Sequence, residues 1–339
     1  MQFVPLIEVT RGDLVECQHW GAVAVANRDG RVLAQVGDPY AVTFTRSTIK
    51  AFQALPLMQS GTARALGWGA KDLALLCASH NGEPMHVQQV DHMLATVDMT
   101  YKALRCGCHV PMFAALGVPG LELPAGFAPD ERHNNCSGKH AGFVAYCVHQ
   151  GLPQDDHLAP GHPLQTAIRE RVAQAVGLAP QQLAAGTDGC SAPNYAMPLA
   201  HLARGYARLA GGAPDTELDE SLTALADAMV THPELGSGTG RHDNEFMQAG
   251  RGDWVSKTGA DGVQVVGSRS RGEAFALKIM DGNMVAQVAA AVEVMDQLGW
   301  LDEPQRAALA KRRASEIINA RGLRVGGRRP VFKLQSAAV

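Results

Sequence analysis

No run of apolar residues in this chain approaches the roughly 20 needed to cross a bilayer, so a membrane-spanning role is not expected. An excess of charge is lacking too. A formal net charge of -3 over 339 residues offers no long-range attraction for nucleic acid or an anionic membrane surface. The basic cluster Lys311-Arg312-Arg313 and the arginines that follow, up to Arg329, read as a solvated C-terminal face. Met1-Gln2-Phe3-Val4-Pro5 is too short, and too soon broken by proline, to be the apolar region of a signal peptide. The cysteines Cys17, Cys77, Cys106, Cys108, Cys136, Cys147 and Cys190 are odd in number and dispersed. That excludes a secreted disulfide framework and fits a reducing cytoplasm. No internal repeat or low-complexity block is visible.

What is present suits a soluble globular enzyme: 46% hydrophobic residues supply a core and 19% charged residues a surface. The length permits one large domain or two ordinary ones, and a single domain over residues 1–339 is expected. Gly21 to Ala26 and Arg31 to Val36 alternate about the turn Asn27-Arg28-Asp29-Gly30, which predicts a hairpin. Helical patterning follows over Ser47 to Leu55, ending or kinking near Pro56, and over Lys71 to Cys77 and Pro84 to Val97. Glycine and proline crowd Gly107 to Pro129, a long folded connection. Helix returns at Ser137 to His149, His162 to Val176 and Asp219 to Val230. Short strands are predicted at Trp254 to Ser256, Val263 to Gly267 and Glu273 to Met280, then helices at Met284 to Leu298 and Glu303 to Ile317. Strands at both ends with helices between predict a mainly antiparallel sheet built from both chain ends and covered by helices.

Ser47-Thr48-Ile49-Lys50 places a lysine one helical turn after a serine, at the head of a stretch, Ala51 to Ala63, without a charged residue. On a helix the two residues share a face, which lets the amine act on the hydroxyl. An ordinary lysine has a pKa of about 10.4, so a base working near neutrality needs a depression of about three units, roughly 4 kcal/mol. Desolvation, a second lysine and a helix N-terminus all push that way. Ser79 stands in Ala78-Ser79-His80-Asn81-Gly82-Glu83-Pro84, a loop introducing a helix. Lys257 stands in Val255-Ser256-Lys257-Thr258-Gly259, a strand end whose glycine permits close backbone approach.

The order serine–lysine, Ser-x-Asn, Lys-Thr-Gly resembles the penicillin-recognising serine hydrolases and the serine-dependent glutaminases, whose fold is an α/β/α sandwich. Ser79 follows Ser47 by only 32 residues (79 minus 47), too few for the helical subdomain that usually separates these motifs in β-lactamases. Longer blocks resemble a narrower family, the bacterial rhizobial-type (class 3) L-asparaginases. They are Phe44 to Leu57, Ala78 to Pro84, His133 to Gly142, Thr187 to Cys190, His232 to Leu235, Gly238 to Asp243 and Lys257 to Gly262.

The resemblance implies an α/β fold of the β-lactamase/glutaminase-like sandwich type and hydrolysis of L-asparagine to L-aspartate and ammonia through a serine acyl-enzyme. Ser47 with Lys50 and Ser79 with Lys257 would form two serine–lysine pairs, with Ser47 attacking and Lys50 taking its proton. The second pair would relay a proton to the departing ammonia. Backbone N–H groups of Ser47 and a residue near Ala260 would hold the oxyanion. The resemblance also implies a zinc ion held by Cys136, Lys139 and Cys190, positioning substrate rather than activating the nucleophile. Arg46, Asn135, Asp188 and Arg241 would bind the substrate's α-groups or brace loops. A cytoplasmic homodimer is expected, with no nucleic-acid or membrane partner. Glutaminase action on the same scaffold and a non-catalytic zinc-binding relative are the alternatives. Cys106-Gly107-Cys108-His109 looks like a second metal candidate, but a two-residue step on an extended chain points its thiols apart, so Cys106 and His109 read as structural and Cys108 as incidental.

Overall fold

The computed structural model describes residues 3–211 and 216–337. The outermost residues of the expected 1–339 domain, Met1 and Gln2 of the N-terminal segment among them, lie outside the described residues. The strands are β1 (Val4–Arg11), β2 (Leu14–Asn27), β3 (Val32–Val36), β4 (Val42–Phe44), β5 (Ala184–Thr187), β6 (Pro193–Pro198), β7 (Trp254–Gly259), β8 (Val263–Ser268), β9 (Glu273–Ile279), β10 (Ser315–Ile318), β11 (Arg324–Pro330) and β12 (Gln335–Ser336). The large sheet runs β10-β11-β1-β2-β9-β8-β7, with β3 and β12 continuing beside the far half of β2. Its pairings are antiparallel. The sheet is therefore made from the first and last thirds of the chain, as the sequence predicts. The hairpin turn forms where expected, with Gly30 N–H donating to Asn27 O at 3.0 Å.

The alternation of β2 sorts the two faces of the sheet. Ala22, Ala24 and Ala26 face one core with Ala274 and Ala276, against the helix Leu199–Ala210 and the helices beyond it. Val23 and Val25 face the other, with Phe275 and Leu277, against the helix Met284–Gln297. Small residues on the first face let the Leu199–Ala210 helix lie close to the backbone. A Cβ at Gly267 would meet Ala210 Cβ at 2.7 Å and Tyr206 O at 2.8 Å. The layers are helix, sheet, helix, as expected.

Two predicted helices are corrected. Ser47 to Leu55 is not one α-helix but a 3-10 turn, Arg46–Ile49, then short helices Lys50–Gln53 and Leu55–Gln59. Pro56 has no N–H to continue the ladder and opens the next turn instead. The helix predicted over Glu303 to Ile317 ends at Arg313, and Ser315–Ile318 pairs with β11. The β-branched Ile317 and Ile318 favour the pleated strand.

The remaining helices lie within a few residues of their predicted bounds, and two contacts among them set the site. In the helix Ser137–His149, a Cβ at Gly138 would meet Leu75 O at 2.4 Å, and one at Gly142 would meet Leu76 Cδ2 at 2.3 Å. These glycines let it lie directly on the helix Ala70–Leu76, whose end delivers Cys77, Ala78 and Ser79. A second sheet, β4-β6-β5, holds the turn that starts at Arg46 and the β5–β6 hairpin that carries Asp188 and Cys190.

Candidate active site

Ser79 is fixed by its backbone before its side chain acts. Its N–H donates to Gly236 O at 3.0 Å, and His80 N–H donates to Asn135 O at 3.3 Å. Its hydroxyl then lies between two amines. Lys50 Nζ is 3.0 Å from Ser79 Oγ, and Lys257 Nζ is 2.9 Å from the same oxygen. All three side chains are enclosed, with exposures of 1% for Lys50, 4% for Ser79 and 2% for Lys257.

The two lysines differ in their other partners. Lys50 Nζ also donates to Ala78 O at 2.5 Å and Asn135 O at 3.3 Å, so three acceptors surround it. Lys257 Nζ donates to Thr258 O at 3.1 Å and lies 3.8 Å from Asp243 Oδ2. Burial pushes the Lys257 amine down to about 7, assisted by the charges of Lys50 and Arg241 and opposed by Asp243. A neutral amine near physiological pH is the form a general base needs.

The expected pairing is thus realised in part. Ser79 and Lys257 meet, but Lys50 turns its amine to Ser79. Among the described residues, no hydrogen bond joins the Ser47 hydroxyl to either lysine. Ser47 is half-buried on the 3-10 turn, where side chains three residues apart eclipse, so Ser47 and Lys50 still lie on one side. That turn packs against the end of β7: a Cβ at Gly259 would meet Thr45 O at 2.9 Å.

Arg46 takes a left-handed conformation, φ 51°, which a side chain adopts only with support. Asn194 supplies it by accepting from Arg46 N–H at 3.1 Å and donating to Arg46 O at 3.0 Å. Arg46 Nε donates to Asp188 Oδ1 at 2.9 Å, and Nη1 pairs with Asp261. These residues and Lys278 line a cavity of about 300 Å³, which offers charges of both signs. Arg241 faces a different, larger cavity of about 690 Å³ lined by Met112, Val118 and Met284. It donates to Asn81 Oδ1 at 3.3 Å. Asn135 offers its carbonyl to Lys50, while its N–H donates to His109 Nε2 at 3.0 Å. Of the four expected substrate-binding residues, then, Arg46 and Asp188 share a cavity, Arg241 stands at another, and Asn135 braces the loop.

The structure brings Cys136, Lys139 and Cys190 together in the buried interior. Lys139 Nζ lies 3.1 Å from Cys190 Sγ, and Cys136 Sγ lies 3.1 Å from Asn135 Oδ1. Cys136, Lys139 and Cys190 are all buried. A hydrogen bond from Cys136 and the charge of Lys139 hold the Cys190 thiol far below its ordinary range, against the opposing pull of burial. Cys136 is pushed up by that same hydrogen bond and by burial. Burial pulls Lys139 down, but the two thiol groups outweigh it and hold the amine up. Donors on one tetrahedral zinc sit about 3.5 Å apart for ordinary bond lengths. At 3.1 Å, Lys139 and Cys190 stand closer than that, at hydrogen-bond distance, and both ring nitrogens of adjacent, buried His140 lack a hydrogen-bond partner. Two thiols and an amine are donors that zinc accepts, the amine once it is deprotonated. No group of three His, Cys, Asp or Glu side chains fit to hold a metal occurs among the described residues, and this set counts a lysine.

Sequence reading did not single out Asp243, Asn194 or Glu83. Glu83 accepts from Thr239 N–H at 2.7 Å and from Asn81 Nδ2 at 3.0 Å, tying the Ser79 loop to the segment before Arg241. Glu83 and Asp243 lie inside the quoted blocks, the only signal that could have found them.

Comparison with known proteins makes the class explicit: this is an amidohydrolase. The family described as L-asparaginase II matches residues 7–330, and the chain belongs to that family, whose activity is hydrolysis of L-asparagine. That membership supports the enzymatic reading over the non-catalytic alternative. No curated protein matches the chain. Among solved structures, a β-lactamase from Mycobacterium bovis is similar at 16% identity, over 82% of this chain and 94% of that one, with a TM-score of 0.43. Mglu in its glutamate form is similar at 12% identity, over 82% of this chain and 60% of that one, with a TM-score of 0.45. Likenesses this distant carry no chemistry.

Proposed function

We propose that L-asparagine is hydrolysed here through a serine acyl-enzyme driven by a lysine–serine–lysine proton relay. The observation that carries this reading is the Ser79 hydroxyl held at 3.0 Å and 2.9 Å from two buried amines. Neutral Lys257 takes a proton from Lys50 through Ser79. Lys50, now a free base on the same side as Ser47, accepts the Ser47 proton as its oxygen attacks the side-chain amide carbon. The relay then runs in reverse, protonating the nitrogen that leaves as ammonia. Water, deprotonated by the same route, releases aspartate. Ser47 lies in the first turn of its helix, where an N–H has no intrahelical acceptor, and with an N–H near Ala260 it would face the oxyanion.

Arg46 would bind the α-carboxylate and Asp188 the α-ammonium, in the cavity that holds charges of both signs. Asn135 and Arg241 act on the loop around Ser79. A zinc ion held by Cys136, Lys139 and Cys190 would supply a Lewis-acidic point that orients substrate. We also propose a cytoplasmic homodimer.

One observation favours a second reading in which Ser79 attacks: it alone of the two serines has hydrogen bonds to the amines. Its 4% exposure favours the relay role instead. Ser47→Ala and Ser79→Ala decide, with the trapped acyl group located by mass spectrometry. Acylation confined to Ser47 supports the relay, and full turnover of Ser47→Ala overturns it. Glutaminase action differs by one methylene of substrate, and ammonia release from asparagine, glutamine and a β-lactam by the same preparation separates these activities.

A further inference from the structure

The β7 strand that carries Lys257 is at the edge of the large sheet, so its outward N–H groups need partners from elsewhere. One partner is a carboxylate. Asp243 Oδ2 accepts from Thr258 N–H at 2.7 Å, and Oδ1 accepts from Ser256 Oγ at 2.7 Å and Gln264 Nε2 at 3.0 Å. Asp243 is 1% exposed and belongs to the helix His242–Ala249, which covers this edge. It therefore grips the residues on both sides of Lys257 while its Oδ2 stands 3.8 Å from the lysine amine. The grip continues inward, since Gln287 Nε2 donates to Thr258 Oγ1 at 2.8 Å and to Gln264 Oε1 at 3.0 Å.

We infer that Asp243 is a positioning residue for the hydrolysis, clamping β7 so that the Lys257 amine meets Ser79 and setting the charge this amine feels. The inference rests on the reading of Lys257 as the base. Charged and titratable groups about Lys257 are Asp243 and Arg241 on one side, Lys50 on another, and the thiols of Cys136 and Cys77. Of these groups only Asp243 carries formal charge opposite to the amine's, and it also bonds to the strand. A buried carboxylate this close favours the protonated amine, and its removal favours the free base at lower pH. Asp243 itself is held down to about 2: burial opposes its charge, and His242, Lys257 and its hydrogen bonds outweigh burial. It is thus ionised throughout the working range.

Asp243→Asn tests this in the full-length protein. The expected result is a fall in kcat of about 30-fold or more with KM within about threefold, and an acid limb of the kcat profile moved to lower pH by about one unit. Ser256→Ala keeps the carboxylate and removes one bond, so kcat falls a few-fold and the limb stays. A loss of activity matching only the loss of folded protein, with the limb unmoved, overturns the inference. Should Asp243→Asn fail to fold, Ser256→Ala combined with Gln264→Met removes two of the three donors, and an unchanged kcat overturns it. Lys257→Met with normal turnover would instead overturn the reading of the base itself.

Discussion

Lys139 and Lys257 are buried alike, at 3% and 2% exposure, yet their amines are driven in opposite directions. In the cysteine cluster, two thiol groups overcome the cost of burial and hold Lys139 up. On the edge strand, burial wins because Lys50 and Arg241 add their charges to it, and one carboxylate at 3.8 Å is too weak to reverse the outcome. Desolvation alone does not decide what a buried amine does; the sign of its neighbours does. One fold thereby holds one amine kept protonated among thiols and another suited to taking protons.

The sharpest way to break this comparison is Lys257→Met, which removes the base and leaves an apolar side chain of similar length. A loss of about 10³-fold in kcat is expected, followed by ammonia release, with circular dichroism unchanged. Cys190→Ser acts on the other region. Bound zinc measured by mass spectrometry should fall well below one per chain, and KM should rise about tenfold or more, by more than kcat falls. A collapse of kcat at constant KM would give the metal a part in the bond-breaking step.

A smaller effect is expected in the pH profile of kcat/KM. Because Lys257 must be neutral to act and its amine is held to about 7, activity should drop as pH falls below 7. An acid limb near 5 would remove this lysine from the relay. The smallest effect concerns stability. The amine titrates at about 7 when folded and 10.5 when unfolded, so between these values the unfolded chain binds more protons. Stability should rise with pH across that window, by at most about 1.4 kcal/mol per pH unit, and Lys257→Met should flatten the rise in urea titrations.

The sequence made the local chemistry legible and left the long-range arrangement hidden. Asn27 to Gly30 announces its hairpin, and the apolar periodicity of Ser137 to His149 gives that helix its observed limits. The sheet from both chain ends was also readable. The small sheet was missed because β5 and β6 are short and carry Gly186, Asn194 and two prolines, which weaken any strand signal. The strand β11 was missed because glycines and arginines replace alternation there, β10 because the preceding helix was extended through it, and β12 because it is only Gln335–Ser336. At the site, all three members of the relay were named from motifs. That both amines share one hydroxyl was not, since nothing in a linear pattern states which way Lys50 turns. Asp243 escaped for the same reason: its role exists only once the 242–249 helix lies along β7.

The large sheet closes by pairing β1 with β11, Ile7 opposite Pro330, and Ser79 waits for a lysine 178 residues downstream. Such a topology has high contact order, so loop-closure entropy is spent before its pairings reward it and folding is slow. A nascent chain shorter than about 280 residues lacks β7 to β9 or cannot yet seat them, so partial products should be inert and prone to aggregate. None of the catalytic apparatus can therefore exist until synthesis has passed β9, which ends at Ile279.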